Sequence, residues 1–232
     1  MSAAAASSGT GGAAMPDVIA PSTGGMGYGE PGTRSLVAGP TALLGRDMVV
    51  RGTMPGAARR RVILQRLDDR HGWRNVARSR VRTSERFRIR WRADRSGRLS
   101  LRAVIASRKH SGKRHRGRAA EAEAATAGPV LAVTVYRPAM ASYFGPGLFG
   151  RQTACGMTLT PELHGVAHRR LPCGTLVALT YRGRELVVPV IDRGPFSSTY
   201  SWDLTQATAD ALGFASSGAI GYTRVKPERA AA

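Results

Sequence analysis

The sequence predicts an all-β protein, and three observations carry that reading. From residue 43 to 137 the apolar residues recur with period 2: Phe87, Ile89 and Trp91 alternate with Arg86, Arg88, Arg90 and Arg92, and Leu99, Leu101, Ala103 and Ile105 repeat the pattern. Such alternation belongs to strands with one buried and one solvated face. Turn signals, among them Asp68-Asp69-Arg70-His71-Gly72 and Asp94-Arg95-Ser96-Gly97, punctuate these runs. Further on, two apolar runs at 176–181 and 185–191 flank Arg182-Gly183-Arg184, a hairpin signal, and only one short stretch, 205–212, reads as a helix.

At 232 residues, 42% hydrophobic and 22% charged, the chain can build one or two cores. Residues 1–40 are mostly Ala, Gly, Ser, Thr and Pro without periodicity and read as a flexible leader or linker. Gly27, Gly29 and Gly32 match GxGxxG, but Pro31 lies inside the motif and no strand precedes it, so a dinucleotide site is not expected. Residues 1–12 lack the basic start and apolar stretch of a secretory signal, and no apolar run is long enough for a transmembrane segment. Residues 41–137 are expected to form a small antiparallel sandwich of immunoglobulin-like character, with strands at 47–53, 61–67, 73–81, 99–105 and 130–137 besides the arginine-alternating run. The Cys-Trp-Cys signature of true immunoglobulin domains is missing, so this expectation rests on pattern. Residues 108–128 read as a long basic hairpin loop, 138–227 as a second domain and 228–232 as a tail.

Charge is unevenly placed. The chain carries 35 Lys+Arg against 15 Asp+Glu, a net of +20. Residues 51–118 hold 23 basic and 4 acidic side chains, whereas 138–232 hold 9 and 6. A neutral, balanced surface is excluded, and the basic loop reads either as a solvated loop or as a polyanion-binding patch. Nucleic acid is the weaker choice of partner. Single-strand binding needs exposed aromatics among the basic residues, and Phe87 and Trp91 alternate on the face opposite the arginines. Cys155 and Cys173 are the only cysteines; without a CxxC pair a zinc ribbon is excluded, and the two are either a disulfide or buried thiols. No metal or organic cofactor is indicated.

The chemistry-bearing motifs lie after residue 138: Ala141-Ser142-Tyr143-Phe144-Gly145, Thr153-Ala154-Cys155-Gly156, Ala167-His168-Arg169-Arg170-Leu171-Pro172-Cys173-Gly174, Asp192-Arg193-Gly194-Pro195-Phe196 and Trp202-Asp203-Leu204-Thr205. Asp192 stands where a buried strand ends and a Gly-Pro turn begins, a common setting for a catalytic side chain held by a rigid scaffold. It could equally brace the turn. Asp203 or Thr205 is the expected N-cap of the 205–212 helix and Gly213 its stop. His168 reads either as a satisfied core histidine or as a site residue.

Together these motifs resemble the rare lipoprotein A family, whose domain is a six-stranded double-psi β-barrel also found in expansins and in some endoglucanases. The resemblance implies such a barrel over 138–227 and a secreted or wall-associated protein acting on peptidoglycan glycan strands as a lytic transglycosylase. It also implies a Cys155–Cys173 disulfide, and makes anionic wall polymers the expected ligands of the arginine-rich domain. Asp192 matches the acidic residue of the family's Asp-Arg-Gly-Pro motif, and His168 the histidine of its Ala-His-x-x-Leu-Pro motif; these are the candidate catalytic pair. Asp203 matches the aspartate that in expansins faces the sugar groove, and Tyr143, Trp202, Thr153 and Arg193 are further candidates for substrate binding, although Trp202 reads more readily as packing and Tyr143 equally as closing the barrel. One position departs: the glutamate usual after the Cys-Gly pair is Met157 here. Hydrolysis needs two carboxyl groups. Lytic cleavage, in which the sugar's own 6-hydroxyl closes a 1,6-anhydro ring, needs one that acts first as acid and then as base, a task Asp192 could perform. The alternative is an expansin-like protein that binds and loosens the wall without cleavage.

Overall fold

The computed structural model describes residues 33–106 and 126–225. The glycine motif at 27–32, most of the basic loop expected at 108–128 and the 228–232 tail lie outside the described residues. The first half contains β1 (Ser35–Val37), β2 (Thr41–Leu43), β3 (Asp47–Thr53), β4 (Arg61–Asp68), β5 (Gly72–Arg80), β6 (Arg86–Arg92) and β7 (Gly97–Ile105), and β8 (Leu131–Phe144) follows. An antiparallel sheet β1-β3-β6 and a sheet ordered β8-β7-β4-β5, with β2 parallel to β8, share one core. Phe87, Ile89 and Trp91 point into it against Val62, Leu64, Leu101 and Val135, and the alternating arginines of β6 face solvent. Ser35–Val37, inside the stretch expected to be a leader, is instead a strand paired with Arg51–Thr53. Three residues are too few to show alternation in a sequence.

Five more strands follow: β9 (Val166–Ala167), β10 (Leu176–Tyr181), β11 (Arg184–Asp192), β12 (Trp202–Thr205) and β13 (Gly218–Arg224), with α1 (Gln206–Leu212) after β12. Their order is β12-β9-β11-β10-β13-β8, and β8 returns to pair in parallel with β12. Six strands thus close the double-psi β-barrel, and closure leaves no free sheet edge. Val177, Leu179, Val188, Val190, Trp202 and Leu204 fill it, with Ala209 and Leu212 of α1 joining the same cluster.

The expected boundary at 137/138 falls inside one strand. β8 pairs through residues 131–135 with β7, through 137–141 with β13 and through 141–144 with β12. Pro138 does not interrupt it; Gly221 is its register partner on β13. Among the described residues no helix is long and apolar enough to cross a membrane.

The helix is capped by Thr205, whose Oγ1 accepts from the Thr208 amide at 3.3 Å, while Gly213 ends it in the left-handed conformation at φ 67°. Asp203 is therefore free of the capping task that its position allowed. The Gly165 amide donates to Thr205 Oγ1 and Thr208 Oγ1 at 3.2 and 2.9 Å, which ties the entry of β9 to the start of α1. A Cβ at Gly165 would stand 2.6 Å from two carbons of the buried Ile191 side chain. Gly165→Ala is expected to lower the urea midpoint at unchanged m-value, with a loss of about 1–3 kcal/mol from overpacking.

Candidate active site

Register brings the two carboxylates together. β9 has only two residues, and Ala167 pairs with Asp203 of β12 on one side and with Asp192 of β11 on the other. Asp203 is in turn paired with Ser142 of β8. Ser142, Asp203, Ala167 and Asp192 therefore form one row across four strands, and side chains of register partners share a face. With neighbouring strands about 4.8 Å apart, the backbones of Asp192 and Asp203 are separated by roughly 10 Å. The register shifts between Val190 and Asp192, a bulge of the kind that re-aims a side chain at a strand end. Ile191 packs with Leu159, Leu163 and Phe144.

Asp192 is held by the backbone. Its Oδ1 accepts from the amides of Ala154 and Arg193, both at 2.8 Å, and its carbonyl accepts from the His168 amide at 3.1 Å. Ala154 is presented by a tight turn in which the Thr153 amide donates to the Met157 carbonyl at 2.8 Å and the Met157 amide donates to Thr153 Oγ1 at 3.1 Å. A disulfide joins Cys155 in this turn to Cys173, 18 residues on, with Cα atoms 5.7 Å apart. The pairing implied by the family resemblance is present.

Asp203 sits in a different environment. Burial raises its pKa above the ordinary 3.8; the Ser142 hydroxyl, donating to Oδ1 at 2.9 Å, opposes the rise, and the charge of Asp192 adds to it. His168 is fixed by two backbone amides, those of Arg170 and Leu171, which donate to Nδ1 at 3.1 and 3.0 Å. Burial, then the charges of Arg169, Arg193 and Arg170, hold its pKa below the ordinary value. A neutral ring accepting at Nδ1 carries its proton on Nε2.

Four further candidates are placed as follows. Trp202 is 1% exposed and lies beneath His168, ring centroids 4.5 Å apart, so it packs rather than stacking on a sugar. Thr153 is buried and braces the turn. Arg193 donates through Nη1 to the carbonyl of Leu171 at 3.0 Å, holding the turn that carries His168. Tyr143 is 38% exposed, but its register partner is Leu204, so strand alternation turns it to the face opposite Ser142 and Asp203. The sequence also left Ser142 and Arg169 without roles. Arg169 donates to the carbonyls of Pro195, Ser197 and Tyr200, stapling the loop that leads from Asp192 to Asp203. Both residues lie within the motifs, but neither the parallel β8–β12 pairing nor a staple to three carbonyls is readable from neighbours in sequence.

A profile of the family described as "Lytic transglycolase" matches residues 138–223. The chain is 43% identical over 81 residues to the "Probable endolytic peptidoglycan transglycosylase RlpA" of Synechocystis, a span covering 34% of this chain and 25% of that protein. It is 38% identical over 84 residues to the protein of the same description from Aquifex aeolicus, covering 35% of this chain and 37% of that one. The chain thus spans about a quarter to just over a third of the length of these curated relatives. Among solved structures, the apo Clavibacter michiganensis expansin aligns with a TM-score of 0.33 and 24% identity over 40% of this chain and 52% of that one.

Two outcomes follow from the site's electrostatics and covalent frame. Because the folded state raises the Asp203 pKa, the native protein binds this proton more tightly than the unfolded chain, and stability falls as pH rises through the folded-state value. Asp203→Asn keeps the Oδ1 acceptor and removes the buried charge. The variant is expected to melt higher than wild type at about pH 7, a gain that disappears below the ordinary carboxyl pKa of 3.8. Replacing Cys155 and Cys173 together by Ala is expected to cost about 3 kcal/mol in denaturant unfolding.

Proposed function

We propose that the barrel, matching as it does the lytic transglycolase family over residues 138–223, cleaves peptidoglycan glycan strands by intramolecular attack of a sugar 6-hydroxyl. The observation that carries this reading is the shared row: Asp192 and Asp203 flank Ala167 on one face of the sheet. From sequence alone one carboxyl, Asp192, would serve as acid and then as base. The row supplies a second, so the two tasks divide.

Asp203, whose carboxyl holds its proton to higher pH than an exposed aspartate, donates that proton to the leaving glycosidic oxygen as the bond from the anomeric carbon breaks. The 6-hydroxyl oxygen of the same sugar bonds to that carbon and closes the 1,6-anhydro ring. Its proton passes to Asp192, anchored through Oδ1 by two backbone amides. Both protons are accounted for, and exchange with water restores the starting state. His168, neutral and with both Nδ1 contacts made to backbone, offers Nε2–H to a substrate oxygen and is a donor rather than a base. Ser142 orients Asp203.

The disulfide suits an oxidising compartment, and a secreted or wall-associated protein with its arginine-rich half on anionic wall polymers fits this substrate. One observation favours the second reading, an expansin-like binder without cleavage. Met157, at the family's glutamate position, is 37% exposed and has no proton to give.

Mass spectrometry of peptide-stripped glycan strands incubated with the protein decides between them. Wild type is expected to generate 1,6-anhydro ends. Asp192→Asn and Asp203→Asn should each lower the rate by at least about 100-fold, the scale of general acid–base catalysis, and His168→Ala by less. The wild-type rate should decline as pH rises past the elevated Asp203 pKa. Absence of new ends with all four proteins, together with retained sedimentation on the wall, would leave the binding reading.

A further inference from the structure

The sheet opposite the β4–β7 layer presents a ladder of arginine to solvent. Along β6, Arg86, Arg88, Arg90 and Arg92 are all exposed and separated by buried residues. Register places Arg51 of β3 directly opposite Arg88, and Arg51 is also exposed. Arg90 reaches Asp47 at 3.9 Å; among the described residues no carboxylate lies within 4.0 Å of Arg51, Arg86, Arg88 or Arg92. Like charges directly opposite on a sheet are destabilising, so the Arg51–Arg88 pair works against the fold in the absence of a counter-anion. Between Arg51 and Arg86 the surface dips into a depression of about 240 Å³, lined also by Val37, Gly52, Thr53 and the largely buried Phe87.

We propose that this face is a docking surface for a phosphodiester-linked wall polymer, a polyol-phosphate chain lying along β6; the choice of a wall polymer rests on the peptidoglycan reading of the barrel. Alternate residues of a strand repeat about every 7 Å, and two residues contain six backbone bonds, the same number as one glycerol-phosphate repeat. Successive phosphates of an extended chain can therefore meet successive guanidinium groups, whose planar forks suit phosphate oxygens. Nucleic acid has the same backbone repeat but would leave its bases without a platform. Phe87 and Trp91, the aromatics of β6, are 5% and 2% exposed and belong to the core.

The test uses the full chain and poly(glycerol phosphate), with binding followed across a salt series. Wild type is expected to bind with a steep linear dependence of log K on log salt. The triple variant R86Q/R88Q/R90Q should bind at least tenfold more weakly, with a slope smaller by about two to three. The charge-matched variant R61Q/R70Q/R98Q, altered at exposed arginines elsewhere, should stay within about threefold of wild type if the ladder and not net charge is responsible. Thermal unfolding checks that both triples are folded. Equal weakening in the two triples, no binding by wild type, or tighter binding to oligothymidylate of equal phosphate number overturns the proposal. Cleavage of peptide-stripped strands, run in parallel, should be unchanged in R86Q/R88Q/R90Q. If no protein cleaves while polymer binding follows the ladder, the docking surface stands and the catalytic reading falls.

Discussion

Closure of the barrel by parallel pairing of β12 with β8 is the constraint from which the site follows. That pairing seals the last open edge and draws Trp202 and Leu204 into the core with Ala141. In the same step it sets Ser142 beside Asp203. A slip of one residue would exchange the faces, putting Asp203 and Thr205 where Trp202 and Leu204 now lie. The apolar demand of the core therefore fixes the register that positions the carboxylates.

The second support is covalent and local. Asp192 stands at the end of a strand, where a side chain would ordinarily gain freedom, yet amides from two separate segments converge on one of its oxygens. One of those amides belongs to the turn tied down by the disulfide. The other carboxylate has no such cradle and is governed by burial. Two chemically identical groups in one row thus sit in different surroundings, one cradled by backbone amides and the other buried against Ser142.

Much of this was legible in the sequence. Alternation gave the buried face of β6 because Phe87, Ile89 and Trp91 contrast strongly with the arginines, and local chemistry marked Gly213 as the helix stop while leaving Asp203 and Thr205 as rival N-caps, of which the structure uses Thr205. The barrel and the cysteine pairing came from motif resemblance and could not have come from periodicity, since β9 has two residues and β12 four. Trp202 and Tyr143 show what a local reading leaves open. Each belongs to a strand whose inward face is decided by partners far away in sequence, so the motifs alone could not choose between sugar contact and packing, a choice on which the parallel β8–β12 register bears. Arg169 was missed for the same reason: its three carbonyl partners lie 26 to 31 residues away.

The continuity of β8 bears on how the chain matures during synthesis. Every strand partner of β1 through β7 lies at or before Tyr136, so the first half can complete its pairings while the remainder is still being made. The barrel must wait for β13, almost at the end of the described chain. When that strand emerges, residues 137–144 of β8 are already anchored by the finished sheet behind them, and the later strands add to a fixed template instead of searching for a free one. The early half thus serves as an internal scaffold for the late one, and severing the chain at the apparent domain boundary would remove that head start.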